Sequence, residues 1–227
     1  MSVQDWIEAA FTCTMECRYL LHVPESVDEN TILAIVLHGY GQNPAEMLRL
    51  SRMVLGKDLL IASIGGPNQH YLQDKPGGTS IGYNWGVRDH WHEAIRLHTE
   101  MVDTVRAQMN QKFGVTSART LLAGYSQPVG LNYRYTGTYP GKIGGLLAIC
   151  GGVPKDWEED KYLPVSTPIL HIARDQDEFF PVPVTATFKA RLEIHAADVT
   201  FCLMEGPHRF PSKAAPIIEP WLRRVFA

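Results

Sequence analysis

The sequence has no long basic run, no apolar stretch of membrane-spanning length and no signal-like leader within its 227 residues. The formal net charge is −3 and no basic cluster is longer than Arg223-Arg224, which disfavours binding to nucleic acid or to an anionic membrane surface. No segment approaches the ~18 consecutive apolar residues of a membrane-spanning helix. Residues 1–11 lack the basic and apolar regions of a secretory signal, so we expect a cytoplasmic protein.

Cysteine is scarce, and no two cysteines are spaced as Cys-x-x-Cys, which disfavours a zinc site. Cys13 and Cys17 lie four residues apart in a strand-like run, and we expect them to be reduced thiols buried in the interior. His90 and His92, with Glu93, resemble a pair of metal ligands, but no third ligand follows at a natural spacing. We therefore interpret this segment as the exposed start of a helix and predict no metal site.

Strand-like and helix-like segments alternate through most of the chain, which predicts an α/β fold with a mostly parallel central sheet and helices on both faces. No internal repeat or low-complexity linker interrupts the pattern, so we predict one domain over residues 1–227. His98 lies on the apolar stripe of the longest helix and is predicted to be a core residue. The predicted strands span residues 11–22, 31–37, 59–64, 118–125, 143–150, 168–173 and 198–204, and the predicted helices 44–55, 89–113, 127–139, 183–196 and 216–226.

Residues 65–88 are rich in glycine, proline and aromatic residues and lack periodicity, which predicts a long substrate-site loop. This segment holds the only complete Gly-x-Ser-x-Gly match in the chain, at residues 78–82. A predicted strand does not precede this match and a helix does not follow it. We therefore interpret Ser80 as an ordinary loop residue.

A second serine, Ser126, directly follows a predicted buried strand in Gly124-Tyr125-Ser126-Gln127. The strand before it and the helix after it form the context of a nucleophile elbow, a sharp turn that lifts the hydroxyl above the sheet edge. Pro128 is compatible with a first helical turn, whose N–H groups have no partner within the helix. A serine that only caps the helix is the alternative interpretation.

Main-chain donors for an oxyanion are predicted beside this serine. Glycines in Leu37-His38-Gly39-Tyr40-Gly41, after another buried strand, let the backbone turn towards the sheet edge. We expect the N–H groups of Tyr40 and Gln127 to face the negative charge that develops in acyl transfer, each contributing about 3 kcal/mol. An ordinary strand-to-helix turn is the alternative for this segment.

A carboxylate and a base follow two later strands. Asp175, Asp177 and Glu178 come after the strand 168–173, and the residues alone do not choose among them. His208 lies in a loop flanked by glycine and proline after the strand 198–204. Because the carboxyl ends of parallel strands share one sheet edge, these side chains are expected near Ser126.

The chain resembles the carboxylesterase/lysophospholipase/acyl-protein thioesterase family of α/β-hydrolases from Thr31 to Ala227. The resemblance implies the α/β-hydrolase fold without a large lid domain, no cofactor, and a triad in the chain order Ser126, Asp177, His208. It selects Asp177 because the family pattern is Asp, two variable residues, an apolar residue and proline. The matching pieces are Leu37-His38-Gly39-Tyr40-Gly41, Gly124-Tyr125-Ser126-Gln127, Asp177-Glu178-Phe179-Phe180-Pro181 and Gly206-Pro207-His208.

The family usually has two glycines after the Ser-Gln pair, where this chain has Pro128-Val129. We expect a serine carboxylesterase acting on short- to medium-chain acyl esters, as a monomer or homodimer. A thioesterase or lysophospholipase with the same triad, a non-catalytic binding module and, more distantly, a metal-dependent hydrolase are the alternatives. Side chains expected to line the substrate pocket, with packing in the interior as the alternative, are Tyr71, Tyr83, Trp85 and Phe180.

Overall fold

The computed structural model describes residues 6–7, 9–72 and 80–227, and its centre is a seven-stranded sheet. The strand order is β1-β3-β2-β6-β7-β8-β9, with β1 antiparallel to β3 and the other neighbours parallel. A separate antiparallel pair is formed by β4 and β5. The strands are β1 Tyr19–His22, β2 Leu33–Leu37, β3 Leu60–Ile64, β4 Asn68–Tyr71, β5 Ile81–Asn84, β6 Thr120–Tyr125, β7 Gly145–Ile149, β8 Ile169–Gln176 and β9 Val199–Pro207.

Helices cover both faces of the sheet. The helices are α1 Pro44–Leu55, α2 Trp91–Phe113, α3 Val129–Thr138, α4 Val182–Thr185, α5 Phe188–Leu192 and α6 Ala215–Val225. In β2, Leu33 and Leu37 face the core with α2, α3 and α5, whereas Ala34 and Val36 face the core with α1 and α6. A strand buried on both faces needs an unbroken apolar run, which is the pattern that predicts it.

The parallel register brings the carboxyl ends of the strands to one edge. Leu37 of β2 pairs with Gly124 of β6, and Gly124 pairs with Ala148 of β7. The turns after β2, β6, β8 and β9 therefore open on the same side of the sheet, as expected for a doubly covered parallel sheet. No large lid domain covers this edge in the described ranges, and no helix there is long and apolar enough to cross a bilayer.

The segment predicted as a long loop, 65–88, differs from the expectation. Its described part contains the β4–β5 hairpin, in which Asn68 pairs with Asn84 and Tyr71 with Ile81. Gly66 allows the hairpin to approach the sheet, because a Cβ there would lie 2.6 Å from the carbonyl oxygen of Asn84. Main-chain pairing rather than an alternating apolar pattern therefore defines this segment.

Three further predictions are corrected by the structure. A strand is predicted from residue 11, but it begins only at Tyr19, and the predicted buried thiols of Cys13 and Cys17 are exposed. No neighbouring strand is available to pair with residues 11–18 in the described sheet. The helix predicted over 183–196 forms two short helices, α4 and α5, separated by residues 186–187. Three of the four residues of α4 are β-branched, and such residues restrict helical side-chain rotamers.

Candidate active site

Ser126 occupies a strained turn between β6 and α3. Its φ is 62°, a left-handed conformation that is uncommon for a residue with a side chain. The turn is held from both sides, since the Ser126 N–H donates to the Ile149 carbonyl at 2.8 Å and the Ser126 carbonyl accepts from Val129 N–H at 3.2 Å. A Cβ at Gly124 would lie 2.6 Å from Nδ2 of Asn132 in α3, so the close passage of helix and strand requires glycine there. This is the geometry of a nucleophile elbow.

Pro128 and Val129 fit the elbow although the resemblance leads us to expect glycine at both. Pro128 needs no N–H donor at the helix start, and its carbonyl accepts from Asn132 N–H at 2.9 Å. Val129 is fully buried against Gly151, which follows β7. A Cβ at Gly151 would lie 2.3 Å from the Cβ of Val129, so Gly151 provides the space that the valine side chain occupies.

Three of the predicted side chains form one hydrogen-bonded chain. The Ser126 hydroxyl lies 2.8 Å from Nε2 of His208, and Nδ1 of His208 lies 2.7 Å from Oδ2 of Asp177. With the proton on Nδ1 donated to the carboxylate, Nε2 can accept from the hydroxyl. Asp177 is 3% exposed, and its Oδ1 accepts from the N–H groups of Phe179 and Phe180 at 2.9 Å each. These bonds compensate the burial of the carboxyl oxygens.

The two other acids of this turn contact the backbone beside the base and not its ring. Oδ1 of Asp175 accepts from Gly206 N–H at 2.7 Å. Oε2 of Glu178 accepts from His208 N–H at 3.1 Å. Asp177 is therefore the acid of the three that the structure brings to the imidazole.

Aromatic rings surround the imidazole of His208. Tyr125 stacks on it with ring centroids 5.7 Å apart, and the Tyr125 hydroxyl donates to the His208 carbonyl at 3.3 Å. Phe179 approaches edge-on at 4.8 Å and Phe180 lies at 6.0 Å. The rings leave the imidazole few orientations. Tyr125 and Phe179 were not singled out as site residues by the sequence, although both adjoin predicted triad positions.

Two main-chain N–H groups remain available beside Ser126. In the described ranges, no protein acceptor receives the N–H of Tyr40 or of Gln127. The neighbouring amides are engaged, because Gly39 N–H donates to Oε1 of Gln42 at 2.9 Å and Gly41 N–H to the Tyr83 carbonyl at 2.9 Å. Among the described residues, these two N–H groups are therefore without a protein acceptor and can donate to an external oxygen.

His38 holds the turn that carries Tyr40. It is fully buried, and burial lowers the pKa of His38 to about 4, so the ring is neutral near pH 7. Its Nδ1 donates to the Gly39 carbonyl at 2.8 Å and its Nε2 accepts from Gly66 N–H at 2.9 Å. The same ring therefore joins the turn after β2 to the segment after β3.

The Gln127 side chain has a role that the sequence reasoning missed. Its Oε1 accepts from Trp85 N–H at 3.0 Å and its Nε2 donates to the Gly86 carbonyl at 2.8 Å. These bonds attach the end of the β4–β5 hairpin to the elbow. Only the main-chain N–H of Gln127 is predicted from sequence, because the motif indicates a turn and not its distant contacts.

A cavity of about 680 Å³ adjoins the two amide donors. Its lining residues are Tyr40, Gly86, Val87, Arg88, Trp91 and Gln127. The four aromatic residues predicted to line the pocket are absent from this set. Val87, Arg88 and Trp91 were missed because they lie just beyond the aromatic cluster on which that prediction rests.

The structure places those four aromatic side chains elsewhere. Trp85 is 1% exposed and its indole N–H donates to the His38 carbonyl at 2.7 Å, so it is a packing residue of the interior. Tyr83 is half-buried against the edge of His38, and Tyr71 is exposed on the hairpin. Phe180 lies beside His208 and does not line the cavity.

Other candidate features lie apart from this chain of hydrogen bonds. Ser80 is exposed directly before β5, with no imidazole bound to its hydroxyl in the described ranges. His98 is buried, as predicted, and its Nε2 lies 2.8 Å from Oδ1 of Asn132. A larger cavity of about 880 Å³ lies between the N-terminal segment and α2, away from Ser126. In the part of the chain that is described, no three His, Cys, Asp or Glu side chains group as metal ligands.

Residues 20–225 match the sequence model of the family described as Phospholipase/Carboxylesterase. The chain belongs to this family. Members of the phospholipase/carboxylesterase family are carboxylic ester hydrolases, and the protein is therefore an enzyme of this class. No curated protein sequence matches the chain at a significant level.

Solved structures of esterases share the fold. A carboxylesterase from Bacillus cereus superposes with a TM-score of 0.72 at 15% identity, covering 92% of this chain and 94% of its own. Esterase PE8 superposes with a TM-score of 0.71 at 19% identity, covering 93% and 100%. A phospholipase/carboxylesterase from Dyadobacter fermentans gives a TM-score of 0.64 at 20% identity, covering 92% and 97%. Each of these enzymes has the α/β-hydrolase fold of this phospholipase/carboxylesterase chain.

Proposed function

We propose that the protein is a serine carboxylesterase that hydrolyses short- to medium-chain acyl esters through Ser126, His208 and Asp177. The observation that carries the proposal is the continuous hydrogen-bonded chain from the Ser126 hydroxyl through the His208 imidazole to Asp177, with distances of 2.8 and 2.7 Å. A hydroxyl bound to an imidazole whose tautomer is fixed by a buried carboxylate is equipped for nucleophilic attack.

The proposed reaction has two steps. His208 Nε2 takes the hydroxyl proton as Ser126 Oγ bonds to the ester carbonyl carbon, and the amides of Tyr40 and Gln127 stabilise the oxyanion. His208 then gives that proton to the leaving alcohol, and the acyl-enzyme remains. Water loses a proton to His208 and attacks the acyl carbon. The bond from that carbon to Ser126 Oγ then breaks, the carboxylic acid leaves, and His208 returns the proton to Oγ. Asp177 stabilises the imidazolium in both steps.

The cavity beside the amide donors supports small acyl groups. It is an open depression of about 680 Å³ rather than an enclosed tunnel. Val87 and Trp91 supply apolar surface beside Tyr40, and the other lining residues are Gly86, Arg88 and Gln127. Burial of apolar surface drives acyl binding, so a short apolar wall favours short or medium chains.

Replacing the nucleophile tests the proposal directly. We expect Ser126→Ala to lower kcat on a short p-nitrophenyl ester by about 10³-fold or more, because the covalent step is lost. Ser80→Ala is the matched control and should retain wild-type kcat. Intact mass after fluorophosphonate treatment should show one adduct on wild type and on Ser80→Ala, and none on Ser126→Ala. Equal losses of activity in both variants would overturn the assignment.

A lysophospholipase or thioesterase activity on the same triad is the second candidate. Tyr40 and Phe179 are 60% and 68% exposed beside the site, and such rings can contact an acyl chain longer than the cavity holds. Rates on p-nitrophenyl esters of increasing length, on acyl thioesters and on lysophospholipids separate the candidates. A rate that rises steeply beyond medium chains would favour the lipid substrate.

A further inference from the structure

Asp175 and Glu178 flank the proposed triad acid Asp177, and both hold the loop that carries His208. We propose that these two carboxylates are positioning residues which fix the backbone of the base while Asp177 fixes its ring. The proposal rests on the triad assignment given above. Neither side chain touches the reacting atoms, since each binds a main-chain N–H beside the imidazole.

The contact of Asp175 follows from an irregularity in the sheet. The pairing of β8 with β9 is regular up to Arg174 and Met204, and then resumes at Gln176 and Pro207. Between these pairs one residue of β8 faces two residues of β9, which is a β-bulge. A bulge leaves main-chain groups outside the ladder, and the carboxylate of Asp175 accepts the N–H of Gly206 at 2.7 Å.

The backbone conformation of the bulge requires glycine at position 206. Its φ is 124°, in a region that only glycine adopts readily. A Cβ at Gly206 would lie 2.1 Å from Nη2 of Arg174, so the guanidinium packs directly on the glycine. Two neighbouring residues of β8 therefore hold the loop that leads to His208. The Arg174 side chain packs on Gly206, and the Asp175 carboxylate accepts the Gly206 N–H.

Glu178 acts on the next part of the loop. Its Oε2 accepts from His208 N–H at 3.1 Å. The main-chain N–H groups of Glu178 and His208 hold the pKa of the Glu178 carboxyl below its usual value, so it is ionised near pH 7. His208 is thus held at its main-chain N–H by Glu178 and at its ring by Asp177.

The expected consequence is on turnover. Loss of these bonds lets the loop between Gly206 and His208 shift, and a displacement of about 1 Å at a catalytic group can lower the rate by roughly 10²-fold. We expect Asp175→Ala to lower kcat by about 10- to 100-fold with KM changed less than about twofold. Glu178→Ala should lower kcat by a smaller factor, because its hydrogen bond of 3.1 Å is longer than the 2.7 Å bond of Asp175.

The conservative variants separate positioning from charge. Asp175→Asn and Glu178→Gln keep an acceptor oxygen at the same distance along the side chain and remove only the charge. Both should retain most of the wild-type kcat. A purely structural role would instead lower the melting temperature in parallel with kcat, and rescue would appear in both quantities. The downfield proton resonance of the His208 Nδ1–H bond to Asp177 gives an independent readout, which should broaden in Asp175→Ala and stay sharp in Asp175→Asn.

Asp198→Ala is the matched control. Asp198 directly precedes β9 at its opposite end and its carboxylate accepts from the Arg224 guanidinium at 2.6 Å. Its loss removes an accepting carboxylate next to the same strand without touching the His208 loop, so kcat should be unchanged. If Asp175→Ala does not fold, Glu178→Ala decides, because that surface position tolerates truncation.

Besides a parallel loss of kcat and melting temperature, two results would overturn the proposal. In one, Asp175→Ala and Glu178→Ala both turn over at the wild-type rate. In the other, Asp175→Asn is as slow as Asp175→Ala with an unchanged melting temperature. In either case, wild type that still forms the fluorophosphonate adduct at Ser126 leaves the proposed esterase intact. Absence of that adduct from wild type would instead reject the triad itself.

Discussion

The fit of Val129 against Gly151 allows a stringent test of how this elbow departs from its family. In Gly151→Ala the new Cβ would lie 2.3 Å from the Val129 Cβ, 2.5 Å from the Val129 Cγ2 and 2.6 Å from the Ser126 carbonyl oxygen. Contacts this short force neighbouring atoms to move. Two of the three belong to a replaceable side chain, and the third belongs to the proposed nucleophile.

The expected magnitude follows from these contacts. Overpacking of a close-packed interior lowers the free energy of unfolding by about 1–3 kcal/mol. Because the Ser126 carbonyl must also move, we expect kcat to fall by roughly 10- to 100-fold as the hydroxyl leaves its 2.8 Å contact with His208. Val129→Gly alone should destabilise the fold by about 2–3 kcal/mol through loss of a buried side chain and gain of chain entropy. The double variant, which combines Val129→Gly with Gly151→Ala, removes the two short contacts with the Val129 side chain and keeps the one with the Ser126 carbonyl oxygen.

Urea unfolding of wild type, the two single variants and the double variant gives the coupling free energy between positions 129 and 151. The double variant should be more stable than the sum of the single changes by about 1–2 kcal/mol, within the range for residues in direct contact. Gly130→Ala is the matched control, since its Cβ would have only ordinary contacts of 3.6 Å and alanine favours the helix. Additive free energies, or a Gly151→Ala variant as stable as wild type, would refute the reasoning.

The remaining predictions concern pH and the hairpin. Burial lowers the pKa values of His38, His98 and His171 to about 4, 4 and 3, below the value of 6.5 that applies when they are exposed. Their contribution to stability is therefore fully present above pH 6.5 and is lost as pH falls through about 4 for His38 and His98 and through about 3 for His171. His38 alone accounts for about 3 kcal/mol. Urea unfolding between pH 7.5 and 4.5 measures the loss, and a flat profile would contradict it. Gln127→Ala leaves Trp85 N–H and the Gly86 carbonyl without partners, so stability should fall by about 1–3 kcal/mol. Limited proteolysis should then cleave near Gly86, and unchanged resistance would argue against the attachment.

The central sheet was predictable because its signal is local. Residues 31–37 form an unbroken apolar run, and β2 is buried on both faces at Leu33–Leu37. The β4–β5 hairpin gave no such signal. Asn68–Tyr71 has an exposed or half-buried, mainly polar sequence, and its strand character comes from main-chain pairing with Ile81–Asn84, the next strand of the same hairpin. Apolar periodicity does not register pairing of that kind.

The sequence indicated the reacting side chains of the proposed site, but not the contacts that hold them in place. Strand ends, glycines and chain order single out Ser126 and His208, but the choice of Asp177 over its neighbours came only from the family resemblance. The different contacts of Asp175 depend on a one-residue bulge in β9, which no local pattern encodes. Trp85 was misassigned because an aromatic residue in an aperiodic segment carries no sign of whether it faces solvent or His38.

The sheet register has a practical consequence for engineering substrate preference. Leu37 and Gly124 are paired across β2 and β6, and Tyr40 and Gln127 each lie three residues beyond their paired positions. The register that relates the two proposed oxyanion donors is thus a property of main-chain pairing, which exchange of the Tyr40 side chain does not alter. A library that randomises position 40 can reshape the cavity wall while keeping the donor in every member except proline, which has no N–H to give.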